Sequence, residues 1–251
     1  MVFLKIIFSV SILIGMLFFP APVKVDLTLS GFPPFENWMH PLGCDQLGRD
    51  IYALYAYGTF TTFLISIPAR IITLFLSVMV SFLSYVSGRY SNLLLESISS
   101  VFLSLPSFLV AIIVLYSLGP ELVVFYIAIF LSDWAFAFES IQAKVREVKQ
   151  SGYVIAARIM GGGNFYLYRT HILPEISSLL YILFITGIPS VIMTVALFSY
   201  MGIDFGTDFL GPGLGEQIAF SKDYFLKSPL ALFTPIIAIL FLVLSFSKKR
   251  K

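Results

Sequence analysis

Charge is scarce in this chain of 251 residues: only 12% of positions are Asp, Glu, Lys or Arg, where a soluble domain places charge on about a quarter of them. Too little polar material is left to cover a water-facing surface. Lipid is therefore the expected solvent for much of the outside, in keeping with a composition that is 58% hydrophobic and a mean hydropathy of +0.93. Cysteine occurs once, as Cys44. That excludes an internal disulfide and leaves no neighbouring thiols for a zinc or iron–sulfur site. Basic tracts interleaved with aromatics are missing as well; the 26 phenylalanines fall mainly inside apolar runs, which argues against a nucleic-acid partner.

What is present is a series of long apolar runs. A helix crosses about 30 Å of hydrocarbon with roughly 20 residues, because only intrachain hydrogen bonding satisfies every backbone amide there. Six stretches meet or approach this length: 3–22, 62–86, 97–118, 121–138, 176–200 and 229–247. The third is the cleanest, with no charge between Glu96 and Glu121. The fourth is the weakest, being short and containing Asp133. Pro68 and Arg70 interrupt the second. An arginine at that depth must snorkel or face protein or water, so it belongs to a buried ion pair, marks a span that starts beyond residue 70, or contacts substrate directly. Lys5, the run Ile6–Phe19 and Pro20-Ala21 resemble a secretory signal, but Phe18-Phe19-Pro20 is a poor small-residue cleavage site and a retained first span is expected.

Six spans put both termini on one side. If that side is cytoplasmic it receives Lys5, Arg89, Lys144, Arg146, Lys149, Arg158, Arg169 and Lys248-Lys249-Arg250-Lys251, eleven basic residues in all. The other side receives four: Lys24, Arg49, Lys222 and Lys227. The excess of positive charge predicts cytoplasmic termini. Residues 24–56 and 201–228 then lie outside and 139–175 inside.

The inner segment is longer than a connector needs, since helix-to-helix links take about 2–8 residues. Glu139–Gln150 reads as one short helix with Lys144 and Arg146 on its polar face. A second follows Ser151-Gly152, with Ser151 placed to cap it. Val154, Ala157 and Gly161 lie three or four positions apart and share a face, and the small size of Ala157 and Gly161 suits close approach to another surface. Gly161-Gly162-Gly163 ends this helix. Pro174 falls in the first turn of the fifth span, where its missing N–H is tolerated.

Tyr153-Val154-x-Ala156-Ala157-Arg158-x-x-Gly161, followed after nine residues by His171-Ile172-Leu173-Pro174, resembles the loop motif of binding-protein-dependent ABC importer permeases. Trp134 stands at the family's distance before the tyrosine. His40-Pro41-Leu42-Gly43-Cys44-Asp45-x-x-Gly48-Arg49-Asp50 is similar to the segment after the first span in the dipeptide, oligopeptide and nickel branch, specifically its second permease subunit. Pro106 and Ser199-Tyr200-Met201-Gly202 fit too, so the likeness runs from about residue 36 to residue 220.

The resemblance implies an all-α polytopic membrane protein of six transmembrane helices with the type I importer permease fold. Residues 1–56 would hold the first span and an external segment, and 57–251 a core of five spans. It further implies a second homologous permease subunit, two cytosolic ATP-binding subunits and an extracytoplasmic solute-binding protein. Residues 153–161 would form the coupling helix to an ATPase. The chain departs from the pattern at Glu139 and Gln142, where relatives commonly carry arginine, and at Cys44, Ile155, Glu175 and Val195. It also ends in Lys248–Lys251 without the usual glycine- and aspartate-rich tail.

Other chemistry is weakly supported. His40, Cys44 and Asp45 carry ligating atoms, but a closed metal site needs four ligands; a folded cap held by Asp45, Arg49 and Asp50, with a tight turn at Gly48, explains them. His171 has no nucleophile placed beside it, and Glu175 favours a helix N-terminus. Gly211-Pro212-Gly213-x-Gly215 and Gly161-Gly162-Gly163-Asn164 lack the Lys-Ser or Lys-Thr of a phosphate loop, so no cofactor is expected and ATP hydrolysis is expected on another polypeptide. Paired catalytic groups at one depth are missing, which makes an intramembrane enzyme a poor reading. An oligopeptide importer subunit is the leading expectation. A nickel-complex importer, or an ion-coupled secondary transporter using Arg70 and Asp133, stands as the alternative.

Overall fold

The computed structural model describes residues 2–203 and 210–246; the closing Lys248–Lys251 counted above lies outside them. Among the described residues the chain is all-helical, with a single isolated bridge between Cys44 and Asp50. The helices are α1 (Val2–Phe18), α2 (Ile51–Ser87), α3 (Arg89–Ser104), α4 (Ser107–Leu118), α5 (Leu122–Lys149), α6 (Gly152–Ile159), α7 (Asn164–Leu167), α8 (Leu173–Tyr200), α9 (Leu214–Ser221) and α10 (Pro229–Phe246). A single π turn, Tyr168–Ile172, joins α7 to α8. Pro174 explains its position, because a residue without an N–H cannot continue the ladder and Leu173 donates to Tyr168 instead.

Among the described residues, four runs are long and apolar enough to cross a bilayer: α2, α5, the continuous Asn164–Tyr200 and α10. The number becomes five if α3 and α4 count together, and α1, with 17 residues, is shorter. The stretch that read as the cleanest span is the one that breaks. α3 and α4 meet at 93°, because Pro106 pushes the residue before it out of the helical region and Leu105 adopts φ −95°, ψ 138°.

Two further expectations are corrected. The weakest stretch is an unbroken 28-residue helix, α5; it has no Gly or Pro, and it absorbs the segment Glu139–Gln150 that read as a separate helix. The second span begins at residue 51 rather than 62 and passes through Pro68. Its polar first turns are anchored rather than solvated: Tyr52 donates to the Ser11 carbonyl at 2.8 Å, Tyr55 shares a hydrogen bond with the Ser11 hydroxyl at 2.8 Å, and Tyr57 reaches the Met16 and Phe19 carbonyls.

The chain forms two compact units, Met1–Pro68 with Ile188–Lys251, and Ala69–Gly187. In the first, α1 lies against α2 and α10: Lys5 donates to the Ser245 carbonyl, Phe8 stacks on Phe241, and Gly15 faces Ala56 so closely that a Cβ there would collide with it. The short α9, in the segment expected to lie outside, is buried through Gln217, which donates to the carbonyls of Leu54 (2.7 Å) and Pro212 (2.9 Å). Gly58 leaves the room that this amide occupies.

In the second unit, one core joins α2, α5, α6, α7 and α8 through Leu74, Ile141, Val145, Val154, Leu167 and Ile176. A smaller cluster, Trp134, Ala135 and Phe138 with Phe102 against them, seats α3 on α5. Ser99 to Glu139 at 2.5 Å and Arg146 to Glu96 at 2.6 Å lock the same pair of helices.

Candidate functional site

Three groups of residues singled out by the sequence occupy definite places. The first is α6. Ser151 stands at its N-cap with extended backbone, yet its hydroxyl donates back to Val148 at 2.7 Å and caps nothing. Gly161 ends the helix as expected, at φ +91°, with the Gly162 N–H returning to the Ala157 carbonyl; only glycine takes that conformation cheaply.

The face holding Val154 and Ala157, expected to meet another surface, is turned inward. Val154 is fully buried in the chain's own core and Ala157 packs against it. The exposed side presents Tyr153, Ile155, Ile159 and Met160, continued by Phe165 and Tyr166, while Ala156 is half-buried and Arg158 exposed. Ile159 and Met160 are 81% and 84% exposed. Exposed apolar patches of this kind commonly mark interaction surfaces. His171 lies between the Tyr153 and Tyr166 rings at 5.9 and 5.8 Å, bridging α6 to the entry of α8 two residues before Leu173.

The second group is Arg70 and Asp133, read separately from the sequence and joined here. Arg70 is 1% exposed, ion-paired to Asp133, and donates to the Leu183 carbonyl through Nε at 3.2 Å and Nη2 at 2.6 Å. A Cβ at Gly187 would collide with the guanidinium; that glycine is the space that lets the arginine lie flat. The result is a clamp of α2, α5 and α8 in which a charge that is costly in lipid is fully engaged. Of the readings open for Arg70, the buried ion pair is the one observed.

The third is the turn-rich segment before α2. Asp45 accepts from the backbone of Leu47 (2.9 Å) and Arg49 (2.8 Å) and forms a 2.7 Å ion pair with the Arg49 guanidinium. Asp50 caps α2 by accepting from Ala53 at 2.8 Å and holds His40 Nδ1 at 2.9 Å. Gly43 and Gly48 take φ +76° and +71°, and at Gly48 the Asp26 carbonyl occupies the place of a Cβ. Cys44 is fully buried; burial first, then the carboxylates of Asp50, Asp45 and Asp26, push its thiol from an ordinary 9.0 up to about 11. Among the described residues no three ligating side chains converge on a metal position.

Sequence reading missed a cavity of about 210 Å³ lined by Thr61, Thr62, Val195, Ser199, Gly213 and Glu216. The Thr61 hydroxyl in it is buried with no hydrogen-bond partner. The usable signal was the run of Thr and Ser at helical spacing on α2, among them Thr59, Thr62 and Ser66.

Long apolar helices with a lateral helix tied into their core define a multi-pass membrane protein. Residues 73–248 match the binding-protein-dependent transport system inner membrane component family, and the chain belongs to that family. It is 25% identical over 76% of its length to the dipeptide transport system permease protein DppC of Bacillus subtilis, and 26% identical over 68% to the oligopeptide transport system permease protein OppC of the same organism. To the nickel transport system permease protein NikC of Escherichia coli it is 24% identical over 90%. The matches cover 59%, 55% and 80% of those relatives' own lengths, so the chain spans less than two thirds of the first two.

Proposed function

We propose that this protein is one of two membrane-spanning subunits of an ATP-driven importer, that it forms half of the translocation path for oligopeptides, and that α6 is its coupling helix. Six spans serve this role: α1, α2, the bent pair α3–α4, α5, the α7–α8 run and α10, arranged as a type I permease with both termini in the cytoplasm. Residues 1–56 supply the first span and an external cap offered to a solute-binding protein, and 57–251 the core. Two cytosolic subunits hydrolyse ATP and a second homologous permease completes the path.

The observation that carries the reading is the division of α6 into two faces. Val154 is buried among α2, α5 and α8 residues, while Tyr153, Ile155, Ile159 and Met160 are exposed. A helix gripped on its outer face moves the core into which its inner face is packed, because close-packed interiors shift as blocks. ATP-driven approach of the ATPases favours one arrangement of the spans, and hydrolysis restores the other. The relatives named for dipeptide and oligopeptide transport support peptides as cargo. The nickel relative supports chelated nickel as the second reading.

The test is purification of the full chain under mild detergent. A second permease and ATP-hydrolysing subunits are expected to accompany it, with ATPase activity raised by a peptide-loaded binding protein; a nickel complex in place of peptide decides for the second reading. Gradient-driven uptake by the isolated chain without nucleotide would overturn both.

A further inference from the structure

The unit Ala69–Gly187 contains a second cavity, of about 430 Å³, where the end of α2, the start of α3, the end of α5 and helices α6 and α7 come together. Three cations line it, Arg146, Lys149 and Arg158, with the amides of Asn92, Gln142 and Asn164, and no carboxylate is among its lining residues. Arg146 is drawn toward Glu96 and Glu139 at 2.6 and 3.9 Å. Lys149 and Arg158 have no carboxylate partner among the described residues. Both lean on Tyr85, the ammonium 5.7 Å from the ring centre and Arg158 Nη2 donating to the phenol at 3.0 Å.

Gln142 is the decisive group. It is 3% exposed, and its Nε2 has no hydrogen-bond partner. A buried donor left unmade is expensive, and a native fold keeps one where something else satisfies it. Asn92 accepts from Ser84 at 2.6 Å through its carbonyl oxygen, which leaves the amide nitrogen to donate. The N-terminus of the 16-residue α3, opened by Gly88 on the cavity wall, carries no side-chain cap, and its free N–H groups add positive potential.

We propose that this cavity is a binding site for a phosphate group, held by Lys149, Arg158, Gln142 and Asn92. A tetrahedral anion with three or more acceptor oxygens matches this many converging donors, and charge-assisted bonds from guanidinium and ammonium select for it. Two sources supply that chemistry, a phospholipid headgroup and the free anion. Occupation draws Arg158 of α6 and Lys149 of α5 onto one ligand, so it stiffens the joint between the lateral helix and the bundle. The assignment does not depend on which solute the protein carries.

The experiment uses the full chain with any subunits that purify with it. Inorganic phosphate is titrated at constant ionic strength against chloride while thermal stability is followed. In parallel, native mass spectrometry measures retention of phosphatidylglycerol after extraction from vesicles of phosphatidylcholine with phosphatidylglycerol. Saturable stabilisation by phosphate, retained phosphatidylglycerol, or both are expected, and Lys149→Gln and Gln142→Leu each weaken the response by about tenfold, as the loss of a charge-assisted or buried hydrogen bond does. A phosphate response without lipid identifies the free anion, and lipid without a phosphate response identifies the headgroup.

Gln142→Leu removes an unpaired amide and should leave stability without ligand equal or higher. Should it fail to fold, Lys149→Gln, on an exposed side chain, carries the test. Absence of both responses overturns the proposal, as does binding that survives both variants. A partner's acidic segment crosslinked to Lys149 while neither probe binds overturns it too.

Discussion

Arg70 is buried where an unpaired guanidinium would be among the most expensive groups a membrane helix can carry, so the fold around it depends on Asp133, the Leu183 carbonyl and the gap at Gly187. Removing one partner of a buried pair leaves the other uncompensated. Asp133→Ala is therefore expected to destabilise by about 3–5 kcal/mol, whereas Arg70→Met with Asp133→Leu recovers most of that loss; thermal unfolding in detergent and the yield of monodisperse protein measure both. Gly187→Ala should resemble Asp133→Ala, since its methyl takes the guanidinium's place, and a wild-type melting curve for Gly187→Ala would refute the clamp. Each charge was visible in the sequence as an anomaly. Their pairing was not, because they are 63 positions apart and nothing local sets the register of α2 against α5.

Cys44 gives a prediction in pH at the same scale. Its thiol is held in the neutral form up to about 11 against an ordinary 9.0. The folded pKa lies above the unfolded one, so the contribution to stability is complete below about pH 9 and is lost as pH rises through 11. Maleimide labelling of the folded protein should accordingly be slow at neutral pH and accelerate only toward that upper value, while the unfolded chain reacts readily. Fast labelling at neutral pH would show that the cap before α2 opens.

Among the elements, α6 separates what the sequence makes legible from what it hides. Its existence and its end at Gly161 were readable, because the glycine run and the motif around it are local. Its orientation was not: in eight residues Val154 and Ala157 define an apolar stripe as well as Ile155 and Ile159 do, and only the core formed by Ile141, Val145 and Leu167 decides which stripe is buried. The break between α3 and α4 was hidden for a similar reason, since hydropathy is the same for a straight span and a bent one, and the angle rests on two residues, Leu105 and Pro106, leaving the helical region. The two faces of α6 predict two phenotypes. Val154→Ala opens space in the core and should cost about 2 kcal/mol, seen as a lower melting temperature. Ile159→Ser, on the exposed face, should change stability by less than about 0.5 kcal/mol yet abolish the stimulation of ATPase activity by transported solute in the reconstituted assembly. Normal coupling in Ile159→Ser would mean that the partner grips another element.

For the whole molecule, the distribution of charge predicts that α6 faces the cytoplasm. The segments joined to α6 carry Lys144, Arg146, Lys149, Arg158 and Arg169, and moving that many cations across a bilayer opposes the bias that sets topology. Trp38 in the segment before α2 and Met160 at the end of α6 are 95% and 84% exposed, which makes both sound reporters. In a Cys44→Ala background, Trp38→Cys should react with an impermeant maleimide in intact cells and Met160→Cys only in inverted vesicles. If α6 is the coupling helix, as proposed, it must face the cytosol, where nucleotide is. Labelling of Met160→Cys from outside would thus separate the lateral helix from its source of work, whatever the fold of the spans, and the chain would have to be driven from a different surface.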